Sequence, residues 1–87
     1  MATMRVAIVS PEEEIWSGEA TFVLARTVEG ELGVWPRHVP LLGVLVDGGE
    51  LKVETDGGDV LATVGGGFIS VTKDGVSILA ETAVLAS

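Results

Sequence analysis

Few side chains here could serve as base, nucleophile or ligand. The chain has one histidine, no cysteine and 13 carboxylates. The histidine, His38, falls in "WPRHVP" with Trp35, Pro36 and Pro40. A zinc site needs three or four Cys, His or carboxylate ligands, and one histidine supplies too little of that set. A calcium loop needs spaced Asp or Asn. "DGGD" at 56–59 has only two such positions, and the consecutive Glu12, Glu13 and Glu14 point apart. Ser10, Ser17, Ser70 and Ser77 are candidate nucleophiles for His38, yet none lies in a G-x-S-x-G elbow. A hydrolase reading would require a cleft joining His38 to a serine or carboxylate, and a chain of 87 residues has little room for one. "VGGGF", Val64–Phe68, lacks the Lys-Ser/Thr and the following helix of a phosphate loop. Three glycines between strands instead mark a bulge or a close approach of two backbones. The expectation is no catalytic residue, no metal and no cofactor.

Two features could serve recognition. In "VWPRHVPLL" each proline fixes its own φ and pushes Trp35 or Val39 toward extended geometry. The segment reads as extended, stiff and irregular, with His38 held between pinned neighbours. A stiff loop loses little freedom when it docks. Internal bonding of His38 to backbone is the other reading, and both stay open. Lys73 in "TKDGV" sits on a tight turn, as modified lysines do in small acidic carrier domains. A carrier or adaptor β-domain is therefore the alternative function, against the plainer reading of a solvated turn lysine.

The elements that must position these residues read as short strands. "MRVAIV" places Met4, Val6 and Ile8 on one face, and "ATFVLART" places Ala20, Phe22 and Leu24 together. "ELKVET" sets Leu51 and Val53 against Lys52 and Glu54, and "GVSILA" sets Val76 and Ile78 against Ser77 and Leu79. This is the period-2 pattern of strands. "VDGGE", "TDGGD" and "KDGV" read as hairpin turns of type I′. "SPEEEIW" is a β-turn or corner, and "ETAVLAS" a last strand or the beginning of a helix. About seven to ten strands give an all-β fold, a small flattened β-sandwich of short, mostly antiparallel strands, as one domain over 1–87.

Charge narrows the partners. The formal net charge is −8. That disfavours nucleic acid, which needs clustered Lys and Arg, and docking by charge on an anionic membrane surface. No apolar run reaches the length of a spanning helix, and the N-terminus lacks a secretory h-region. The acidity serves solubility or a basic partner surface.

Taken together, "VAIVSPEEEIWSGEA", "TVEGELGVWPRHVPLLGVL" and "VGGGFISVTKDGVSILAETA" resemble the N-terminal domain of the epsilon subunit of rotary proton-translocating ATP synthases. The resemblance covers essentially the whole chain. It implies a flattened β-sandwich with no activity of its own. It implies a place in the central stalk, bound to the gamma subunit and the proteolipid ring, coupling proton flow to rotation and ATP synthesis. Ser10, His38, Pro40 and Leu42 match the side that approaches gamma. Glu29, Gly30 and Glu31 match the loop that faces the ring. The expected location is the cytoplasmic face of the plasma membrane, peripheral and without membrane insertion. The family's C-terminal helical hairpin, inhibitory in many bacteria, has no counterpart before Ser87, so neither an inhibitory arm nor nucleotide binding is expected.

Overall fold

The computed structural model describes residues 2–86; Met1 and Ser87, the ends of the expected domain, lie outside. Ten strands follow one another: β1 (Met4–Val9), β2 (Glu14–Ala20), β3 (Phe22–Thr27), β4 (Gly30–Val34), β5 (Leu41–Val44), β6 (Asp47–Thr55), β7 (Gly58–Gly65), β8 (Gly67–Thr72), β9 (Gly75–Ala80) and β10 (Ala83–Leu85). They form two five-stranded sheets, ordered β2-β1-β9-β8-β5 (sheet A) and β10-β7-β6-β3-β4 (sheet B). Among the described residues only β1 and β9 run parallel; the other pairs are antiparallel. The expected all-β sandwich is thus the observed one, and it measures 31 × 27 × 21 Å.

The alternation in the sequence explains the core. Met4, Val6 and Ile8 of β1, Leu51 and Val53 of β6, and Val76 and Ile78 of β9 all turn inward and are buried. They meet Val23, Ala25 and Val34 of sheet B and Ile69 and Val71 of sheet A in one cluster. Removing such side chains from water supplies most of the driving force, at about 1.5–3 kcal/mol for a fully buried Val, Leu or Ile. The grouping of Ala20 with Phe22 and Leu24 does not hold. Ala20 ends β2 in sheet A and is buried, whereas Phe22 and Leu24 stand on the outer face of sheet B, opposite the inward Val23 and Ala25. The chain changes sheets at Thr21, and that crossing resets the alternation.

Three hairpins share one construction. Thr27-Val28-Glu29-Gly30, Thr55-Asp56-Gly57-Gly58 and Thr72-Lys73-Asp74-Gly75 each close a two-residue loop. In each, the threonine hydroxyl donates to the glycine carbonyl (2.7, 2.6 and 3.5 Å) and accepts from the amide two residues on. The expected type I′ geometry is absent: positive φ falls on the closing Gly30, Gly58 and Gly75, not on the loop residues. One glycine after the loop absorbs the twist in place of two within it. "VDGGE" is no hairpin either. Gly48, at φ 79, forms a bulge at the beginning of β6, where register shifts between Asp47 and Gly49. The tail resolves as strand β10, and the glycines of "VGGGF" do mark close approach: a side chain at Gly65 would strike the Thr82 hydroxyl, and one at Gly67 the Leu79 carbonyl.

Two edge glycines are covered by rings. A Cβ on Gly18 would lie 3.0 Å from Trp16, and one on Gly33 3.1 Å from Phe22. The aromatic ring supplies the packing that glycine lacks. Trp35, 60% exposed, leans on Phe22 with ring centroids 4.7 Å apart at 48°.

On the outer face of sheet B, Lys52 Nζ lies 3.3 Å from Glu54 and 3.7 Å from Asp59. Glu54, and then Asp59, hold the Lys52 proton above its ordinary value of 10.5. A raised lysine value means stabilisation that is complete below the unfolded pKa and lost as pH climbs through the folded one. Stability measured by urea midpoint should therefore fall less steeply above pH 10.5 in Lys52→Met than in the parent chain.

Candidate functional site

The strand order sorts the proposed contact residues between two ends of the sandwich. The Thr27–Leu45 bridge joins the β3–β4 hairpin to the end of β5. Leu45 in turn donates to Gly67 at 2.9 Å, and Val44, Phe68, Leu79 and Val9 lie on one level across sheet A. The β3–β4 hairpin, the β5–β6 crossing, the glycines at 65–67 and the turn after β1 therefore share one end. The segment 35–40 and the turns of β6–β7 and β8–β9 share the other.

Ser10 belongs to the first end. Its amide and carbonyl exchange hydrogen bonds with Glu13 (2.8 and 3.3 Å), and its hydroxyl donates to the Glu13 carbonyl at 3.2 Å. Those bonds close the acidic turn and leave Ser10 9% exposed. His38 and Pro40 belong to the opposite end, diagonally across sheet A. The structure thus does not bring Ser10 and His38 together. Leu42 stands on β5 between the two ends, outward and 71% exposed.

The segment around His38 is a tight turn, where continuous extension was expected. His38 N–H donates to the Trp35 carbonyl at 3.1 Å, with Pro36 second in the turn and Arg37 third at φ 69. A type II turn demands such a φ at its third residue and favours Pro at its second. Pro36 sets the turn, and Arg37 bears the strain. Replacing Arg37 by glycine removes a left-handed cost of about 1–2 kcal/mol and adds unfolded-state freedom worth about 0.4–1 kcal/mol. Arg37→Gly should accordingly stabilise the domain by about 0.5–1 kcal/mol, read from the urea midpoint. His38 Nδ1 lies 2.7 Å from the Val39 carbonyl. A carbonyl only accepts, so Nδ1 carries the hydrogen, and Nε2 has no partner among the described residues. No serine or carboxylate bonds to His38 among them, and the hollows of about 580 and 470 Å³ nearby are lined by Pro36 and Arg37 without it. Among the described residues, neither hollow joins His38 to a serine or carboxylate as the hydrolase reading requires.

Glu29, Gly30 and Glu31 stand at the first end. Only Val28 and Glu29 form the turn; Gly30 and Glu31 already belong to β4. Glu31 is 3.4 Å from Arg26, both more than half exposed. Around them the charge is lopsided. Glu12, Glu13, Glu14, Glu29, Glu31, Asp47, Glu50 and Glu81 lie at or beside this end, against Arg26 alone. The opposite half holds the other five carboxylates with Arg5, Arg37, Lys52 and Lys73. Nearly all of the net charge of −8 thus sits at one pole. Lys73 occupies the first loop position of its hairpin, just as Val28 and Asp56 do in the sister hairpins, so its turn is a repeated structural unit.

Sequence reasoning missed the outer face of sheet A. Val44, Phe68 and Leu79 are 45%, 47% and 51% exposed and adjoin one another across β5, β8 and β9, with Leu42 beside them. The next row runs Leu42, Ser70, Ser77, Ala7 and Ser17, hydroxylic beyond Leu42 except at Ala7, and the last holds Arg5 and Glu19. The apolar strip therefore borders the acidic pole. Its signal is the apolar residue out of phase with the inward set, Leu79 in "GVSILA" and Phe68 in "GFISV".

The comparisons with known proteins agree with one another. The family model for the ATP synthase delta/epsilon chain β-sandwich domain matches residues 3–86. The ATP synthase epsilon chain of Frankia casuarinae is 65% identical over 82 residues, covering 94% of this chain and 96% of that one. The epsilon chain of Mycobacterium sp. strain KMS is 57% identical over the whole chain, which spans 73% of its length. A chain in the cryo-EM structure of Euglena gracilis mitochondrial ATP synthase, OSCP/F1/c-ring in rotational state 1, superposes with a TM-score of 0.88 at 30% identity. This chain is covered to 98% in that superposition and spans 54% of the Euglena chain's length. A chain of the Tetrahymena thermophila mitochondrial ATP synthase central stalk and c-ring shares the fold at a TM-score of 0.74 and 24% identity, covering 95% of this chain and 66% of that one.

Proposed function

The chain belongs to the ATP synthase delta/epsilon chain family as its β-sandwich domain, and from that premise we propose that it fastens the gamma subunit to the proteolipid ring, so that ring rotation driven by protons reaches the catalytic head. An epsilon chain is a structural subunit of the synthase, not a catalytic one, and it is associated with the membrane-bound complex. The observation that carries the finer reading is the apolar strip Leu42, Val44, Phe68 and Leu79 beside the acidic pole. A strip of this kind, rimmed by polar residues, marks a protein contact. Gamma covers the strip, with His38 and Pro40 at its far margin and Ser10 holding the turn at its near one. The pole bearing Glu29, Gly30 and Glu31 faces basic groups on the ring. Docked this way, the domain lies at the cytoplasmic face of the plasma membrane without entering the bilayer.

The test is direct. Purified chain and the gamma subunit of the same synthase should form a one-to-one complex at micromolar concentration in size-exclusion chromatography with light scattering; separate migration of two folded proteins refutes the reading. For the ring, Glu29→Gln with Glu31→Gln should weaken capture by detergent-solubilised ring several-fold, since exposed ion pairs contribute about 0–1 kcal/mol each. The parent's affinity should fall with added NaCl, and the double variant's should fall much less.

A further inference from the structure

Four strands form the edges of the two sheets, and they differ in protection. β2 carries Glu14 and Glu19, β4 carries Glu31, and β10 is three residues long. Edge charges and short lengths are the usual safeguards against pairing with another chain. β5, "LLGV", has no charge, and Leu42 is 71% exposed.

The backbone hydrogen bonds of β5 fix which of its groups stay open. Leu45 N–H donates to Gly67 on β8, so Leu41 and Gly43 likewise turn toward β8. By alternation, Leu42 and Val44 turn theirs away. Val28 N–H, which donates to the Val44 carbonyl at 2.9 Å, confirms that phase and closes the edge there. Pro40, without an N–H, closes it at the other end. What stays open is the Leu42 N–H and C=O, the Val44 N–H and the Pro40 C=O. They lie beside the exposed Val28, Val39, Leu42 and Val44 side chains, and the edge is continuous with the Phe68–Leu79 strip.

We propose that β5 accepts a short extended segment of the gamma subunit as a sixth strand of sheet A, paired through the backbone of Leu42. This rests on the gamma-binding reading above and names its mode. Backbone bonds give such an addition its geometry, and alternate aliphatic side chains of the incoming strand pack beside Leu42 and Val44. The neighbouring Glu29 calls for a Lys or Arg on the incoming strand at the Val44 end. A second copy of this chain is the poorer occupant, because it would bring together two molecules each carrying a net charge of −8.

Amide hydrogen exchange followed by NMR tests the pairing residue by residue. In the free domain the amides of Leu41, Gly43 and Leu45, bonded to β8, should be protected, and that of Leu42 should exchange fast. In complex with gamma, Leu42 exchange should slow at least tenfold. Replacing the Leu42 amide by an ester, which deletes that N–H, keeps the side chain and weakens the Leu41 carbonyl only as an acceptor toward β8, should weaken gamma binding about tenfold with a small drop in melting temperature. A complex in which Leu42 still exchanges at the free rate and the ester variant binds as tightly overturns strand addition alone. Failure of the parent domain to bind gamma overturns the partner reading with it. Protection of Leu42 that rises with concentration of the free domain assigns the edge to a second copy instead.

Discussion

Gly75→Ala is expected to cost the domain about 3–4 kcal/mol and to lower its melting temperature by roughly 15–25 °C. Two separate penalties meet at this residue. Its φ of 146° lies where side chains are rarely tolerated, at a cost of about 1–3 kcal/mol. A Cβ there would also run into the Arg5 carbonyl oxygen and crowd the Arg5 Cβ. Gly75 closes the β8–β9 hairpin and pairs with Arg5 at the beginning of the parallel β1–β9 ladder. Relief of that clash would require the ladder to open, and over-packing of this kind costs about 1–3 kcal/mol.

Gly58 provides the control. It closes a hairpin of the same construction at φ 122, with nothing within 4 Å of the position its Cβ would take. Gly58→Ala should lose only the conformational part, about 1–3 kcal/mol. Urea unfolding of the two variants separates the terms. Equal losses would mean that the Arg5 carbonyl yields freely and that strain alone is being measured. A chain of this size has a total stability of only about 4–13 kcal/mol, so the larger loss brings Gly75→Ala near the limit of folding at physiological temperature.

These glycines also show what a sequence discloses and what it withholds. "TDGGD" and "TKDGV" were legible as hairpins because Gly and Asp between alternating runs leave the chain few other courses. The turn class was not legible, since it depends on which of several neighbouring residues absorbs the twist. "TVEG" carries the same Thr-x-x-Gly construction, yet Val28 gives no turn signal, so its hairpin became visible only beside its two sisters. Inward residues of β1, β6 and β9 were legible because each strand alternates within itself. Which sheet a strand joins was not, because alternation is blind to a crossing such as the one at Thr21. The same blindness hid the candidate site. The acidic residues are scattered from Glu12 to Glu81 along the chain, and only the strand order gathers them at one pole. Likewise Val44, Phe68 and Leu79 become one strip only when β5, β8 and β9 are seen side by side.

That strip carries the largest expected effect on binding. Leu79 lies next to Phe68 across β8–β9 and is 51% exposed, so its outer half contacts solvent in the free domain. Leu79→Glu puts a carboxylate where gamma would desolvate it. An unpaired charge buried in an interface costs about 2–5 kcal/mol, so affinity for gamma should fall by roughly 30- to 5,000-fold. The free domain should lose little stability, because the new carboxylate stays in water until a partner arrives. Leu61→Glu is the matched control. Leu61 is 48% exposed, but it stands on the outer face of sheet B, opposite Lys52 on the neighbouring strand. The same chemistry there should leave gamma binding unchanged, as measured by calorimetric titration of each variant. If both variants bind alike, sheet A is not the docking face. If Leu61→Glu alone fails, the assignment of the faces is reversed and gamma sits over sheet B. Only selective loss with Leu79→Glu leaves the apolar strip as the surface that ties this subunit to the stalk.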